Sequence, residues 1–364
     1  MIPVTKPHLP NRQTLDRYLD GIYERAWFTN NGQLVQELTR RLEEYLEVEN
    51  LLLVANGTLA LQIAYRALGV SGRNNDAEAI TTPFTFVATA SSLKWEGVEP
   101  VFVDIDKATW CLNPNLIEQA ITPHTKAIVP VHVFGNACDV EAIDNIAKQY
   151  NIKVIYDASH AFGVRLGNKS LLQHGDAATL SFHATKLFHT GEGGAIVFRR
   201  KEDLERAKKI INFGITGPET IDDLGINAKM SELQAAMGLS VLDDMDQIAR
   251  SRRTVTQRYD KYLLNRIEKQ LIQEGITYNN AYYPIALADK AQLKEVIASL
   301  NSDNIMPRRY FYPSLEKNNF LSEKPSKCPI SESLSNRILC LPIYSELEES
   351  AITQISNIVI KAAK

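Results

Sequence analysis

Cysteine is scarce. The 364 residues hold four, Cys111, Cys138, Cys328 and Cys340, far apart and with no C-x-x-C pair. That argues against a disulfide frame or a zinc site and fits free buried thiols in a reducing compartment. No apolar run approaches the ~20 residues needed to cross a bilayer. The opening MIPVTKPHLP lacks an apolar signal core. A soluble, cytoplasmic protein with no membrane partner is expected. No charge of one sign dominates either: the net charge is −3, with both signs spread along the chain. A nucleic-acid-binding face is therefore not expected. Anionic small molecules would have to be held by local groups. There is no internal repeat and no low-complexity tail.

What is present is a core. A hydrophobic content of 45% over 364 residues suffices for two domains. Helical spacing covers residues 11–26 and 35–46. Strands then alternate with helices: strand 51–55 and a helix from Leu59, strand 79–82 and helix 83–93, strand 98–103 and helix 113–120, strand 126–131 and helix 140–150. Strand 153–156 ends in Asp157, another runs into Ser181-Phe182, and strand 195–198 precedes helix 202–212. A polar turn starts at Ser71. A later helix opens at Ser231-Glu232 and carries an apolar stripe of Leu233, Ala236, Met237 and Val241. This rhythm predicts an α/β fold, a mostly parallel central sheet flanked by helices. Residues 1–245, with an N-terminal helical segment, form the large domain; residues 246–364 form a smaller C-terminal α+β domain.

Several strand ends carry chemistry. Leu51 onward gives a strand, a tight Asn56-Gly57-Thr58 turn and a helix, so free N–H groups and the helix dipole converge on one spot. An ordinary helix cap is the plainer reading. The turn is not a P-loop, for want of a glycine–lysine ending, nor a dinucleotide fingerprint, for want of two further glycines. Phe86 stands near a helix start, where an aromatic can stack on a flat ring or join the core. Asp157 ends an apolar strand and needs a cation or hydrogen bonds there, with capping of the following turn as the plainer role, and His160 is near enough to orient it. His124 and His174 read as structural. Lys186 lies in SFHATKLFHTGEGG between two apolar strands, where burial would lower an amine's pKa and make it a nucleophile toward carbonyls; a surface-loop lysine, with the glycines serving a turn, is the plainer alternative. Arg308, Arg309, Tyr310 and Tyr312 form a basic-aromatic cluster able to hold phosphate and a base, or simply an exposed strand edge.

Taken together, an anion pocket, an aromatic, a carboxylate and a lysine at the strand ends of one sheet are what pyridoxal 5'-phosphate needs. Helix N–H groups suit its phosphate, an aromatic its ring face, a carboxylate its pyridine nitrogen and an amine its aldehyde.

The segments ANGTLAL, TTPFTFVATASS, PVFVDID, PVHVFGN, VIYDASHAFG, SFHATK, GEGGAI and NAKMSELQAAMG resemble the DegT/DnrJ/EryC1/StrS sugar aminotransferases, fold-type I pyridoxal-phosphate enzymes. The likeness spans nearly the whole chain. Within that family it is nearest to the transaminases that aminate C4 of dTDP-4-keto-6-deoxy-D-glucose with L-glutamate as donor, giving dTDP-4-amino-4,6-dideoxy-D-glucose (dTDP-viosamine). The resemblance implies that Lys186 bonds to the cofactor aldehyde and shuttles the proton. It also implies that Asp157 pairs with the pyridine nitrogen and Phe86 stacks on the ring. Gly57, Thr58 and Ser181 would hold the phosphate, and His160 would support Asp157 or the ring oxygen. Asn227 would reach the cofactor phosphate of a neighbouring subunit, making a homodimer with shared active sites. His183 and Tyr310 would contact substrate, and no metal is implied. A bacterial surface-polysaccharide pathway, such as lipopolysaccharide O-antigen synthesis, would use the product. Relatives with histidine at the lysine position are dehydratases; Lys186 favours transamination. Two rivals stand: amination at C3 of a 3-keto sugar nucleotide, and a non-catalytic sensor of cofactor or sugar nucleotide.

Overall fold

Strands buried on both faces read as continuous apolar runs, and the central sheet is built from such runs. The computed structural model describes residues 1–72 and 76–362; residues 73–75 of the predicted Ser71 turn lie outside them. Seven strands form the sheet: β1 (Leu51–Val54), β2 (Ala77–Thr81), β3 (Val98–Phe102), β4 (Thr125–Val129), β5 (Lys153–Asp157), β6 (Ala177–Ser181) and β7 (Gly194–Phe198). Their spatial order is β1-β7-β6-β5-β4-β2-β3. Six run in one direction, and β7 alone is antiparallel to its neighbours β6 and β1. Its first residue, Gly194, therefore lies beside the last residues of β1 and β6, Val54 and Ser181.

Successive strand residues point to opposite faces. Leu51 and Leu53 enter one core, Leu52 and Val54 the other. The helices are α1 (Arg12–Arg25), α2 (Gln33–Leu46), α3 (Gly57–Ala67), α4 (Val87–Trp95), α5 (Val140–Tyr150), α6 (Lys201–Ile210) and α7 (Glu232–Asp243). The first core takes Ile22 of α1, Leu38 and Leu42 of α2, Ile143 of α5 and Leu239 of α7. The second takes Leu61 and Ala64 of α3, Leu93 of α4 and Leu204 of α6. One carboxylate ties α7 to α2. Glu232, fully buried, accepts from the Leu34 and Val35 N–H groups at 3.0 and 2.9 Å, two of the donors a helix start leaves unpaired.

Helix α8 (Met245–Leu263) leads into the C-terminal half. There β8 (Tyr283–Ala286) pairs antiparallel with β9 (Ile338–Leu341), among α9 (Lys290–Ser302), α10 (Pro329–Arg337) and α11 (Glu349–Ala362). Val255, Tyr259, Leu293, Ile352 and Ile355 fill a core of their own. Ile2–Pro3 pairs parallel with Ile305–Met306, so the start of the chain is tied to this half. Among the described residues, no helix is long and apolar enough to cross a membrane. All four cysteines are free and buried.

Three expectations change. Residues 113–120 form two short 3-10 turns, Pro114–Leu116 and Glu118–Ala120, because only Ile117 is fully buried and no apolar face anchors a longer helix. The helix predicted from Pro83 starts at Val87. Residues 83–86 are spent elsewhere: Phe84 packs edge-on against Phe134 and Phe311, and the Thr85 hydroxyl bonds to Thr89. In α7 the buried stripe is Ala235, Ala236, Leu239, Val241 and Leu242, while Leu233 is exposed.

Candidate active site

In open α/β sheets, ligands gather beyond the C-terminal ends of the parallel strands, and a cavity of about 680 Å³ opens there. That volume suits a small-molecule site. Its first wall is the start of α3. The Asn56 side chain caps the helix, its Oδ1 accepting from Leu59 N–H at 2.9 Å. Gly57 and Thr58 then form the open first turn and line the cavity. Two glycines let the chain close up here. A Cβ on Gly57 would stand 2.8 Å from Ser181 Cβ, and one on Gly194 would stand 2.6 Å from the Asn56 carbonyl oxygen. Only glycine avoids both clashes. The helix start and Ser181 thus form one cradle.

Asp157 lies at the end of β5 and is buried. Its Oδ2 accepts from the Thr89 hydroxyl at 2.8 Å and its Oδ1 from Ser159 N–H at 3.1 Å. Thr89 in turn bonds to Thr85 at 2.9 Å. These partners hold the carboxylate toward the cavity. His160 makes no hydrogen bond to Asp157. Its Nδ1 accepts from Phe134 N–H at 3.1 Å, and its ring lies parallel to two aromatic neighbours, 5.7 Å from Phe311 and 6.0 Å from Phe134. Burial, with Lys186 nearby, holds its pKa well below the ordinary histidine range, so it is a neutral ring lining the site.

The Lys186 side chain is partly open to the cavity, with its amine at depth. Burial lowers its pKa, while Asp157 and Tyr310 act the other way. Its Nζ lies 3.3 Å from the Tyr282 hydroxyl. The exposed ring of Phe86 stands at the start of α4, and Tyr310 lines the same cavity from the C-terminal half. Arg308 joins them. Its backbone pairs with Cys340, and its guanidinium lies 5.3 Å from the Tyr310 ring centre. Arg309 turns away and stacks on Tyr312 at 3.4 Å, so the basic-aromatic cluster is split between two faces.

Gly57, Thr58, Phe86, Asp157, His160, Ser181, His183, Lys186 and Tyr310 therefore share one cavity. His183 is exposed there, its Nδ1 2.8 Å from the Thr185 hydroxyl and its Nε2 3.7 Å from Glu192. Asn227 does not line it; it is exposed, bridged to Asn212. Sequence reading missed Thr89, Ser159 and Tyr282. Thr89 has a detectable signal, since it lies three residues after Phe86 on the same helix. Tyr282 has none.

The donor set suits pyridoxal 5'-phosphate. A helix start with Thr58 and Ser181 hydroxyls fits a phosphate. A buried carboxylate fits a protonated pyridine nitrogen, and an amine kept from water fits an aldehyde.

Residues 11–360 match the DegT/DnrJ/EryC1/StrS aminotransferase family. A dTDP-4-amino-4,6-dideoxy-D-glucose transaminase of Shigella dysenteriae is 43% identical over 98% of this chain and 97% of its own. One from Escherichia coli with the same activity is 37% identical over 99% and 98%. The crystal structure of DesI in the presence of its TDP-sugar product superposes with a TM-score of 0.92 at 30% identity, covering 100% of this chain and 93% of that one. The chain belongs to the DegT/DnrJ/EryC1/StrS aminotransferase family and is a pyridoxal-phosphate-dependent transaminase.

Proposed function

We propose that the protein transfers the amino group of L-glutamate to C4 of dTDP-4-keto-6-deoxy-D-glucose, giving 2-oxoglutarate and dTDP-4-amino-4,6-dideoxy-D-glucose. The observation that carries this is the pairing of a buried amine, Lys186, with a buried carboxylate, Asp157, in one cavity beside a helix start. The two full-length transaminase relatives support the choice of C4 and of a dTDP sugar.

When bound, the cofactor supplies an aldehyde for the donor amine and a ring that takes up the electron pair left by the departing proton. The residues do the rest. Lys186 takes the proton from the donor carbon and returns it, acting as base and then acid. Asp157 keeps a proton on the pyridine nitrogen. Gly57, Thr58 and Ser181 bind the phosphate, Phe86 covers one ring face and His160 borders the ring. Tyr310 and His183 touch substrate. Among the described residues, Arg308 is the one arginine lining the cavity, beside Tyr310. A sugar ring and a glycosidic oxygen separate C4 from the diphosphate, so a cation set back from Lys186 suits that anion.

The active unit in this reading is a homodimer in the cytoplasm, with Asn227 reaching the partner's cofactor phosphate. Phe213, Ile215, Leu224 and Ile226 are exposed around Asn227, an apolar surface suited to burial against a second copy. Residues 1–245 would carry the cofactor, and residues 246–364 would form the smaller domain. A surface-polysaccharide pathway would consume the amino sugar.

The test is incubation of the pyridoxamine form with 4-keto and 3-keto dTDP sugars, followed by NMR of the products. An amine at C4 supports the reading. An amine only at C3 moves the regiochemistry. No amine from any keto sugar supports a sensor instead.

A further inference from the structure

The amine of Lys186 has one recorded hydrogen-bond partner among the described residues, and it lies far along the chain. Lys186 Nζ is 3.3 Å from the Tyr282 hydroxyl oxygen, with no ion-pair partner among the described residues. Tyr282 arrives not from the central sheet but from the segment just before β8. That segment is fastened to the site at successive residues. The Tyr278 hydroxyl donates to the Phe134 carbonyl at 2.8 Å. The Asn279 amide donates to the carbonyls of His160 and Phe162 at 2.9 and 3.0 Å, and its oxygen accepts from Ala281 N–H at 3.1 Å. Buried Arg252 of α8 donates to the Ala281 carbonyl at 3.0 Å. The Tyr282 ring is itself buried, 4.5 Å from His160 on one side and edge-on to Tyr310 at 5.9 Å on another. These contacts hold the ring with its hydroxyl beside the amine.

Packing does not ask for that hydroxyl, since phenylalanine would fill the same space. A buried hydroxyl is costly unless it has a partner, and Lys186 is the one recorded for it among the described residues. Burial holds the phenol protonated, and burial favours the neutral amine. The amine donates to the hydroxyl oxygen, so the phenol anchors it as an acceptor.

We propose that Tyr282 is a positioning residue for Lys186: its hydroxyl holds the amine in the cavity whenever the amine is not bonded to the cofactor. This rests on the transaminase reading above. In covalent capture, the neutral Lys186 amine adds to the aldehyde carbon. Its two protons leave with the carbonyl oxygen as water, and a carbon–nitrogen double bond replaces the carbon–oxygen one. An amine that wanders off its line of attack slows this step, which closes the second half-reaction, and it also serves less well as the base that both half-reactions share. A substrate contact would affect one half-reaction only.

The test compares full-length wild type with Tyr282→Phe, each stripped of cofactor. Capture of pyridoxal phosphate is followed by absorbance, and binding of pyridoxamine phosphate by titration. The second ligand has no aldehyde and reports only the shape of the pocket. The expected result is capture slowed tenfold or more, pyridoxamine phosphate affinity within twofold, and both half-reactions slowed. Asn279→Ala, which loosens the segment, should slow capture more mildly and also spare pyridoxamine phosphate affinity. It decides the matter if Tyr282→Phe does not fold. Capture within twofold of wild type overturns the proposal, as does an equal loss for both ligands. Failure of wild type itself to capture the aldehyde would sink the transaminase reading and this proposal with it.

Discussion

Thr89 Oγ1 donates a hydrogen bond of 2.8 Å to Asp157 Oδ2, joining the first helical turns of α4 to the end of β5. Asp157 gains a second donor from Ser159 N–H, so a carboxylate that would otherwise be costly to bury is hydrogen-bonded at both oxygens and aimed.

Removing that donor tests the arrangement. A hydrogen bond to a charged group is worth about 1.5–3 kcal/mol, so Thr89→Ala should lower kcat by roughly tenfold or more if that energy is used in turnover. Asp157→Ala should remove most activity. Steady-state rates with glutamate and the keto sugar check both. Unchanged turnover in Asp157→Ala would refute the pairing with the pyridine nitrogen.

Lys186 should be indispensable. Lys186→Ala and Lys186→Arg should abolish turnover, the arginine because its guanidinium stays protonated and cannot act as the amine does. Near wild-type rates in either variant would end the assignment.

The same lysine should cost stability. Burial lowers its pKa in the folded protein. The unfolded chain therefore binds more protons between that lowered value and the ordinary lysine value of 10.5. Stability of the cofactor-free protein should rise with pH through this window. Lys186→Met should melt higher than wild type near neutral pH, with the gap closing toward pH ~10. Thermal melts of cofactor-free protein at several pH values check the sign.

The glycine cradle makes a steric prediction. Gly57→Ala sets a Cβ 2.8 Å from Ser181 Cβ, so the helix start must shift away from Ser181. Affinity for pyridoxal phosphate should fall at least tenfold while the fold persists, measured by titration and circular dichroism.

Glu232 lies outside the cavity and should matter for folding. It accepts two backbone N–H bonds at the start of α2 with no exposure to water. Glu232→Ala leaves both donors unpaired and should lower stability by about 3 kcal/mol. Urea unfolding measures this.

The chain's local patterns carried much of this. Runs such as KVIYD and LLLV are too short and too apolar to be other than buried strands, and α5 appears at the residues its spacing predicts, Val140–Tyr150. Asp157 was legible because it closes an apolar strand with a group that burial penalises, and Lys186 because it lies in the short segment between two apolar strands. Residues 113–120 misled because helical spacing there lacks a buried face.

By itself, then, the sequence determined the alternation of strands and helices and the polar groups at their ends, since burial cost and backbone periodicity act within a few neighbours. Only the tertiary structure decided that β7 runs against the other strands and brings Gly194 to Asn56. It also decided that Thr89 reaches Asp157, and that Tyr282 crosses from the other half to meet Lys186. Those contacts join residues 68 and 96 positions apart, for the last two, and they depend on how whole elements pack, which no local pattern records.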